Sequence, residues 1–360
     1  DYDPAFQAFF EDLTLKAQEA LGCDLPPLIL QGEPVLALEG AAASLIAKDD
    51  VVLNLASGVY GKGFGYWAAR YAKKVEEIEV PYDTAIDPEQ VRAFLKAHPE
   101  VKVVCVCHHD TPSGTLNDID AIGAVVAEAG ALLIVDAVSS WGGMSAGPSS
   151  SQAGIFVTGP NKCLGCPPSL SLVAVSEAAW AKIEANPDAP FASMLSFTDW
   201  KNAWKKTEPF PFTPSVAELN GLSAALDRYL DEGPEQVWAR HALTAKICRE
   251  GIKGMGVELW PASEDIASPT ATAVKMPEGI DAGPVLKEAR ARYGVSMSAG
   301  RAETLGKLIR IGHMGPTAQP GYALLSVAAM GGALKALGAK VDVAAGLAAA
   351  QAAWDAAIDT

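Results

Sequence analysis

Lys162 and Asp136 are the two residues of this 360-residue chain whose types and settings most directly support chemistry. Asp136 closes the apolar run Leu132-Leu133-Ile134-Val135, where a carboxylate is costly unless a cation or several donors meet it. Lys162 follows the next apolar run, in the turn Thr158-Gly159-Pro160-Asn161-Lys162, where its amine can reach the same crevice. A lysine amine forms a Schiff base with an aldehyde, and a carboxylate keeps a pyridine nitrogen protonated, so the pair suits pyridoxal chemistry. Taken alone, the two residues fit a helix-capping aspartate and a solvated lysine equally well.

Both residues owe their place to the elements around them. From about residue 26 to 185, short apolar runs alternate with amphipathic stretches, the pattern of a mostly parallel sheet flanked by helices. Strands are expected at Leu28–Gln31, Val51–Leu55, Val75–Val80, Val101–Cys107, Ala131–Val135, Ile155–Thr158 and Ser171–Val175. Helices are expected at Pro34–Ala47, Pro88–His98 and Asp118–Gly130. In such sheets ligands gather at the carboxyl ends of the strands. The other exits carry Gly32-Glu33, Ser57-Gly58-Val59-Tyr60 and His108-His109-Asp110-Thr111.

Beyond the sheet, Pro190 to Ser215 is rich in aromatics and prolines and reads as an ordered excursion. Helices are expected at Val216–Asp231 and Glu235–Met255, the second leading into a separate C-terminal unit. There the pattern suggests strands at Val257–Trp260, Thr270–Lys275 and Leu308–Ile311, and helices at Ala282–Tyr293, Pro320–Ala336 and Ala344–Ala357. The expected division is a large domain over residues 1–245 and a small α+β domain over 246–360.

Composition narrows the function. A formal charge of -15 with no basic face argues against nucleic acid, and no apolar run reaches a membrane span. Six scattered cysteines suit a reducing cytoplasm, and Cys163-x-x-Cys166 has no second pair to make a zinc site. His108, His109 and Asp110 are adjacent and unsupported by a second cluster, so no metal is expected. Gly58, Gly61, Gly63 and Gly65 do not have dinucleotide-binding spacing. The start at Asp1, without a methionine, reads as a trimmed N-terminus.

The segments Asp136-Ala137-Val138-Ser139-Ser140, Thr158-Gly159-Pro160-Asn161-Lys162-Cys163-Leu164-Gly165 and Arg310-Ile311-Gly312 resemble the class V aminotransferases of the alanine-glyoxylate branch, over nearly the whole chain. Gly32-Glu33-Pro34-Val35-Leu36 and Cys107-His108-His109-Asp110-Thr111-Pro112-Ser113-Gly114 resemble, more narrowly, a member acting on the free vitamin form. The resemblance implies a type I aminotransferase fold, with a seven-stranded mostly parallel sheet in the large domain. It makes Lys162 the Schiff-base and proton-shuttling lysine, Asp136 the partner of the pyridine nitrogen and Tyr60 the ring stacked on the pyridine. Thr111 would lie beside the ring, and Arg310, with Arg301 as a second cation, would hold the substrate carboxylate. Thr213 would reach a phosphate in a neighbouring subunit, while Phe210 stands where some relatives have a phosphate-binding tyrosine. A homodimer or homotetramer with the site at the subunit interface follows.

Glu33 bears on the substrate. Phosphorylated pyridoxal is held by backbone N–H groups at a helix N-terminus. Here Pro34 removes one donor and Glu33 adds negative charge. A like-charge pair at ~4 Å costs about 4 kcal/mol at an effective dielectric of 20. The same glutamate would also suit the helix dipole. Together with Glu33, the resemblance implies the reaction pyridoxamine plus pyruvate giving pyridoxal plus L-alanine, in vitamin B6 degradation, with no tightly bound cofactor. The alternative is a pyridoxal 5'-phosphate enzyme using alanine or serine with glyoxylate.

Overall fold

The computed structural model describes residues 3–208 and 210–358. Asp1, where the start was read as trimmed, and Pro209, inside the aromatic excursion, lie outside the described residues. The chain opens with α1 (Pro4–Leu21), β1 (Leu28–Gln31), α2 (Pro34–Leu45), β2 (Val51–Ala56), α3 (Val59–Tyr71), β3 (Lys74–Glu79), α4 (Pro88–Ala97) and β4 (Val101–Cys107). A small hairpin, β5 (His109–Asp110) and β6 (Thr115–Leu116), precedes α5 (Ile119–Glu128), β7 (Leu132–Asp136), β8 (Ile155–Thr158), β9 (Leu170–Val175) and α6 (Glu177–Ala185). Two long helices follow, α7 (Val216–Glu232) and α8 (Pro234–Gly254). The remainder is β10 (Ala271–Lys275), α9 (Ala282–Tyr293), β11 (Ser298–Ala299), β12 (Leu308–Gly312), α10 (Pro320–Ala336) and α11 (Val343–Ile358).

Seven strands form the main sheet in the order β1-β9-β8-β7-β4-β2-β3. The five from β8 to β3 run parallel, β9 is reversed beside β8, and β1 pairs antiparallel with β9 at the edge, so that it runs in the direction of the five. The central strands β4, β7, β8 and β9 are buried almost throughout, which is why they read as continuous apolar runs. The edge strand β3 instead carries Lys74, Glu76, Glu77 and Glu79, charges that discourage pairing with another chain. Helix starts follow local rules. Asp87 accepts from Glu89 N before Pro88, and Asp118 accepts from Ala121 N at the head of α5.

A second, separate apolar core gathers Ile247, Val285, Ile309, Val327 and Met330 from the C-terminal elements, around the three-stranded sheet β10-β12-β11. The strand expected at Val257–Trp260 is absent. Leu259 makes one isolated bridge to Val274, the flanking bonds being Trp260 N to Ala273 O and Lys275 N to Glu258 O. Pro261 then ends the pairing. Three helices passed over in the sequence, α1, α3 and α6, cover the main sheet. The glycines from Gly58 to Gly65 lie at and inside α3, not in a phosphate-binding loop. No helix among the described residues is long and apolar enough to cross a membrane.

Candidate active site

The exits of β7 and β8 deliver Asp136 and Lys162 to one cavity of about 590 Å³, which Glu33, Tyr60 and Arg301 also line. Asp136 is buried, and its Oδ1 accepts the N–H of Val138 at 3.0 Å. Burial pushes its carboxyl up to about 6, against the opposing pull of the Val138 N–H, the Cys107 thiol and the Lys162 charge. This is a carboxylate short of a cation, the setting a protonated pyridine nitrogen would relieve.

The loop carrying Lys162 is pinned against α2. A Cβ on Gly159 would stand 2.3 Å from Cγ of Pro34, so only glycine permits this approach. Cys166 N donates to Pro160 O at 2.8 Å, Gly165 N to Lys162 O at 3.1 Å, and the Arg228 guanidinium to Leu164 O. The lysine thus stands on a braced turn, and only its side chain is free to reach the cavity.

Tyr60 is placed by a residue from another strand exit. Asp110, fully buried in the hairpin after β4, accepts the N–H groups of Tyr60 at 2.7 Å and Gly61 at 2.9 Å and so caps α3. Its carboxyl is pushed up to about 6, mainly by burial. A Cβ on Gly58 would lie 2.2 Å from Cγ of Asp110, so the cap requires glycine there. His109, beside it, lines the cavity and is buried, its imidazole pulled down to about 3 by desolvation and therefore neutral. Thr111 is buried in the same hairpin but is not among the cavity's lining residues. Among the described residues no group of three or more His, Cys, Asp or Glu side chains could hold a metal ion.

Arg310 projects from β12, half-buried, with Nε donating to Ala299 O at 3.2 Å. Burial lowers its pKa, while Tyr60 and Asp110 raise it and Arg301 lowers it, so these groups share one electrostatic neighbourhood. Arg301 is exposed at the cavity wall, its N–H bonded to Thr304 Oγ1 at 2.9 Å. Of the two, Arg301 lines the cavity and Arg310 does not; Arg310 stands on β12 within electrostatic reach of Tyr60 and Arg301, and a pair of cations so placed suits a carboxylate.

On the same cavity, Glu33 is the N-cap residue of α2, yet its side chain makes no capping bond. The carboxylate is exposed at the cavity rim, left for a ligand or solvent. Thr213 is exposed away from the cavity, with its carbonyl accepting from Gln31 Nε2 at 2.8 Å. Phe210 packs with Phe10 and Phe6, ring centroids 4.8 and 5.5 Å apart, and serves the apolar packing under α1.

Two residues that sequence reasoning did not select belong to this cavity. His109 Nε2 and Asn161 Oδ1 are buried and find no protein partner among the described residues. Both stood inside the quoted motifs, but their value as ligand acceptors depends on what already occupies their other atoms. The residues fit a pyridoxal ring: a buried carboxylate for its nitrogen, an amine for its aldehyde, an aromatic side chain at the wall and unpartnered acceptors around it. A larger hollow of about 860 Å³ at the other end of the sheet is lined by Cys23, Asp24 and Glu177 and has no lysine, arginine or histidine.

Comparison with known proteins agrees with this chemistry. Residues 64–315 match the family model for class V aminotransferases. Pyridoxamine–pyruvate transaminase of Mesorhizobium japonicum is 64% identical over 356 residues, 99% of this chain and 91% of that protein. Serine–glyoxylate aminotransferase of Methylorubrum extorquens is 32% identical over 77% of this chain and 70% of that protein. The crystal structure of pyridoxamine-pyruvate aminotransferase from Mesorhizobium loti superposes with a TM-score of 0.98 at 64% identity, covering 99% of this chain and 91% of that one. Ureidoglycine-glyoxylate aminotransferase from Bacillus subtilis gives 0.92 at 26% identity, covering 98% and 91%.

Proposed function

The chain belongs to the class V aminotransferases, with their type I fold, and from that premise we propose that it transfers the amino group of pyridoxamine to pyruvate, giving pyridoxal and L-alanine. The observation that carries this reading is Glu33: an unpaired carboxylate at the start of α2, on the cavity that holds Lys162 and Asp136. With Pro34 removing a donor beside it, this end of the cavity favours a neutral hydroxymethyl group over a phosphate dianion. Pyridoxal is then a product that leaves, not a resident cofactor. The identity to the Mesorhizobium transaminase supports the same choice.

When bound, the protonated pyridine ring would supply an electron sink for the pair left as the C4′ proton departs. Asp136 keeps the ring nitrogen protonated, and burial makes its carboxylate strongly dependent on that contact. Lys162 bonds the ring aldehyde and carries the proton between C4′ and Cα, acting as nucleophile and as general acid and base. Tyr60 covers one face of the ring. Arg310 and Arg301 hold the carboxylate of pyruvate or alanine and so fix Cα over the lysine. Glu33 accepts from the 5′ hydroxyl.

Supporting a shared site, Tyr60, Tyr66 and Val35 leave apolar surface exposed around the cavity, and Thr213 is exposed as a residue serving a neighbouring copy must be. A symmetric dimer or tetramer is the proposed assembly, and breakdown of vitamin B6 in the cytoplasm the proposed setting. The reading is tested by following the first half-reaction with pyridoxamine and with its phosphate. Faster or tighter use of the phosphate would favour the second reading, a glyoxylate-type enzyme with resident pyridoxal 5'-phosphate, which the serine–glyoxylate relative supports.

A further inference from the structure

The residues between the two cores are hydrogen-bonded in a way that the proposed reaction leaves unexplained. Thr270 Oγ1, buried just before β10, donates to the carbonyl of Ser139 at 2.9 Å and lies 2.9 Å from Nδ1 of His109. Ser268 Oγ stands 3.1 Å from the same Nδ1 and 3.0 Å from Thr270 Oγ1, and accepts the Thr270 N–H at 3.1 Å. Nδ1 of His109 is also 3.0 Å from Ser139 O. A carbonyl oxygen only accepts, so a bond to it puts the imidazole proton on Nδ1 and leaves Nε2 as the acceptor turned away from the cluster.

This cluster joins the turn after Asp136 to the strand pair that carries Arg310. His313 N donates to Thr270 O at 3.1 Å, and the β10–β12 ladder places Ala273 opposite Arg310. The hairpin presses on that same point. Ser268 N donates to Gly114 O at 2.9 Å, Thr115 bridges Ala267, and a Cβ on Gly114 would lie 2.9 Å from Cβ of Ala273. From Ser139 the path runs through the Thr270 hydroxyl into β10, whose ladder pairs with the strand carrying Arg310. His109, Ser268 and Thr270 are essentially inaccessible to water, so His109 Nδ1 and the two hydroxyls are satisfied only while the two cores are docked in this one register.

We propose that Thr270 and His109 form a clasp that sets the distance from Arg310 to the ring site, and are positioning residues for recognition of the substrate carboxylate. The inference rests on the carboxylate-binding reading of Arg310. A clasp with only a structural role would lower stability without separating amino-acid binding from ring binding. A positioning clasp separates them, because Lys162, Asp136 and Tyr60 hang on the main sheet and its hairpin while Arg310 hangs on β12.

The test uses the whole chain and two measurements: pyridoxal affinity by absorbance titration, and the KM of L-alanine in the reaction with pyridoxal. Thr270→Val, which keeps shape and loses the hydroxyl, is expected to raise the alanine KM about tenfold, the worth of one net hydrogen bond. Its pyridoxal Kd should stay within about twofold of the parent, and Thr270→Ser should restore the KM. If Thr270→Val does not fold, Ser268→Ala reads the same separation with a rise of about threefold. An unchanged alanine KM, or a Kd and KM that rise together, would overturn the clasp while leaving the reaction standing. A parent protein inert toward pyridoxal and alanine would overturn both.

Discussion

Oδ2 of Asp110 receives the backbone N–H of Tyr60 at 2.7 Å, so the aromatic side chain at the cavity wall is held by a carboxylate 50 residues away in sequence. Burial holds that carboxyl up to about 6, which makes its charge costly and its acceptor oxygens the useful part. Asp110→Asn keeps an acceptor and should fold with stability close to the parent at pH 7. Asp110→Ala loses the cap, should cost about 1–2 kcal/mol in denaturant unfolding, and should weaken pyridoxal binding through Tyr60. Equal stability of the two variants would contradict this.

Asp136 trades stability for binding. Its carboxyl is raised from 3.8 to about 6, so the folded state holds the proton more tightly than the unfolded chain does. The ionised form therefore opposes folding: the penalty is absent below about 3.8 and complete above about 6. Asp136→Asn should gain up to roughly 2–3 kcal/mol near pH 7.5 and little near pH 3.5, by thermal melts of ligand-free protein. The same variant should lose most of its affinity for pyridoxal. In the parent, that affinity should fall as pH drops through 6.

Glu33 makes a claim about selectivity. Because the carboxylate is exposed at the rim, solvent screens it, and its effect on a phosphate is well below the dry-interior limit. Glu33→Gln should improve the affinity for pyridoxamine 5'-phosphate up to about fivefold relative to pyridoxamine, with the gain shrinking at high salt. A ratio unmoved by the substitution would remove Glu33 from substrate choice.

Lys162→Ala should fail to bond pyridoxal, as read by borohydride trapping and mass spectrometry, and should lose at least about 10²- to 10⁴-fold in turnover. Added primary amines should restore part of the proton transfer and none of the covalent attachment.

How much of this was legible beforehand follows from the range of the forces involved. The strand at Val101–Cys107 and the helices at Ala282–Tyr293 and Pro320–Ala336 were read from periodicity with their observed bounds, because burial on one face or both sets those patterns locally. Helix α3 was missed because Gly61, Gly63 and Gly65 depress helix propensity, and its start is fixed by Asp110 from another strand exit. The meeting of Lys162, Asp136, Glu33 and Tyr60 on one cavity followed from topology, since ligands gather at strand ends, whereas Arg301, from the C-terminal unit, was expected there only from the family resemblance. Thr111 and His109 could not be told apart in the same motif. Only the packing of Ser268 and Thr270 onto the hairpin shows that His109 reaches the cavity wall while Thr111 does not line it.

The central claim concerns which form of the vitamin this site turns over. It is met most directly by mixing the purified protein with pyridoxamine and pyruvate, then with pyridoxamine 5'-phosphate and pyruvate, and following aldehyde formation and L-alanine by absorbance and chromatography. Multiple turnovers with the free amine, and a kcat/KM at least about tenfold lower with the phosphate, are the expected result. Equal or better turnover of the phosphate form would contradict the account.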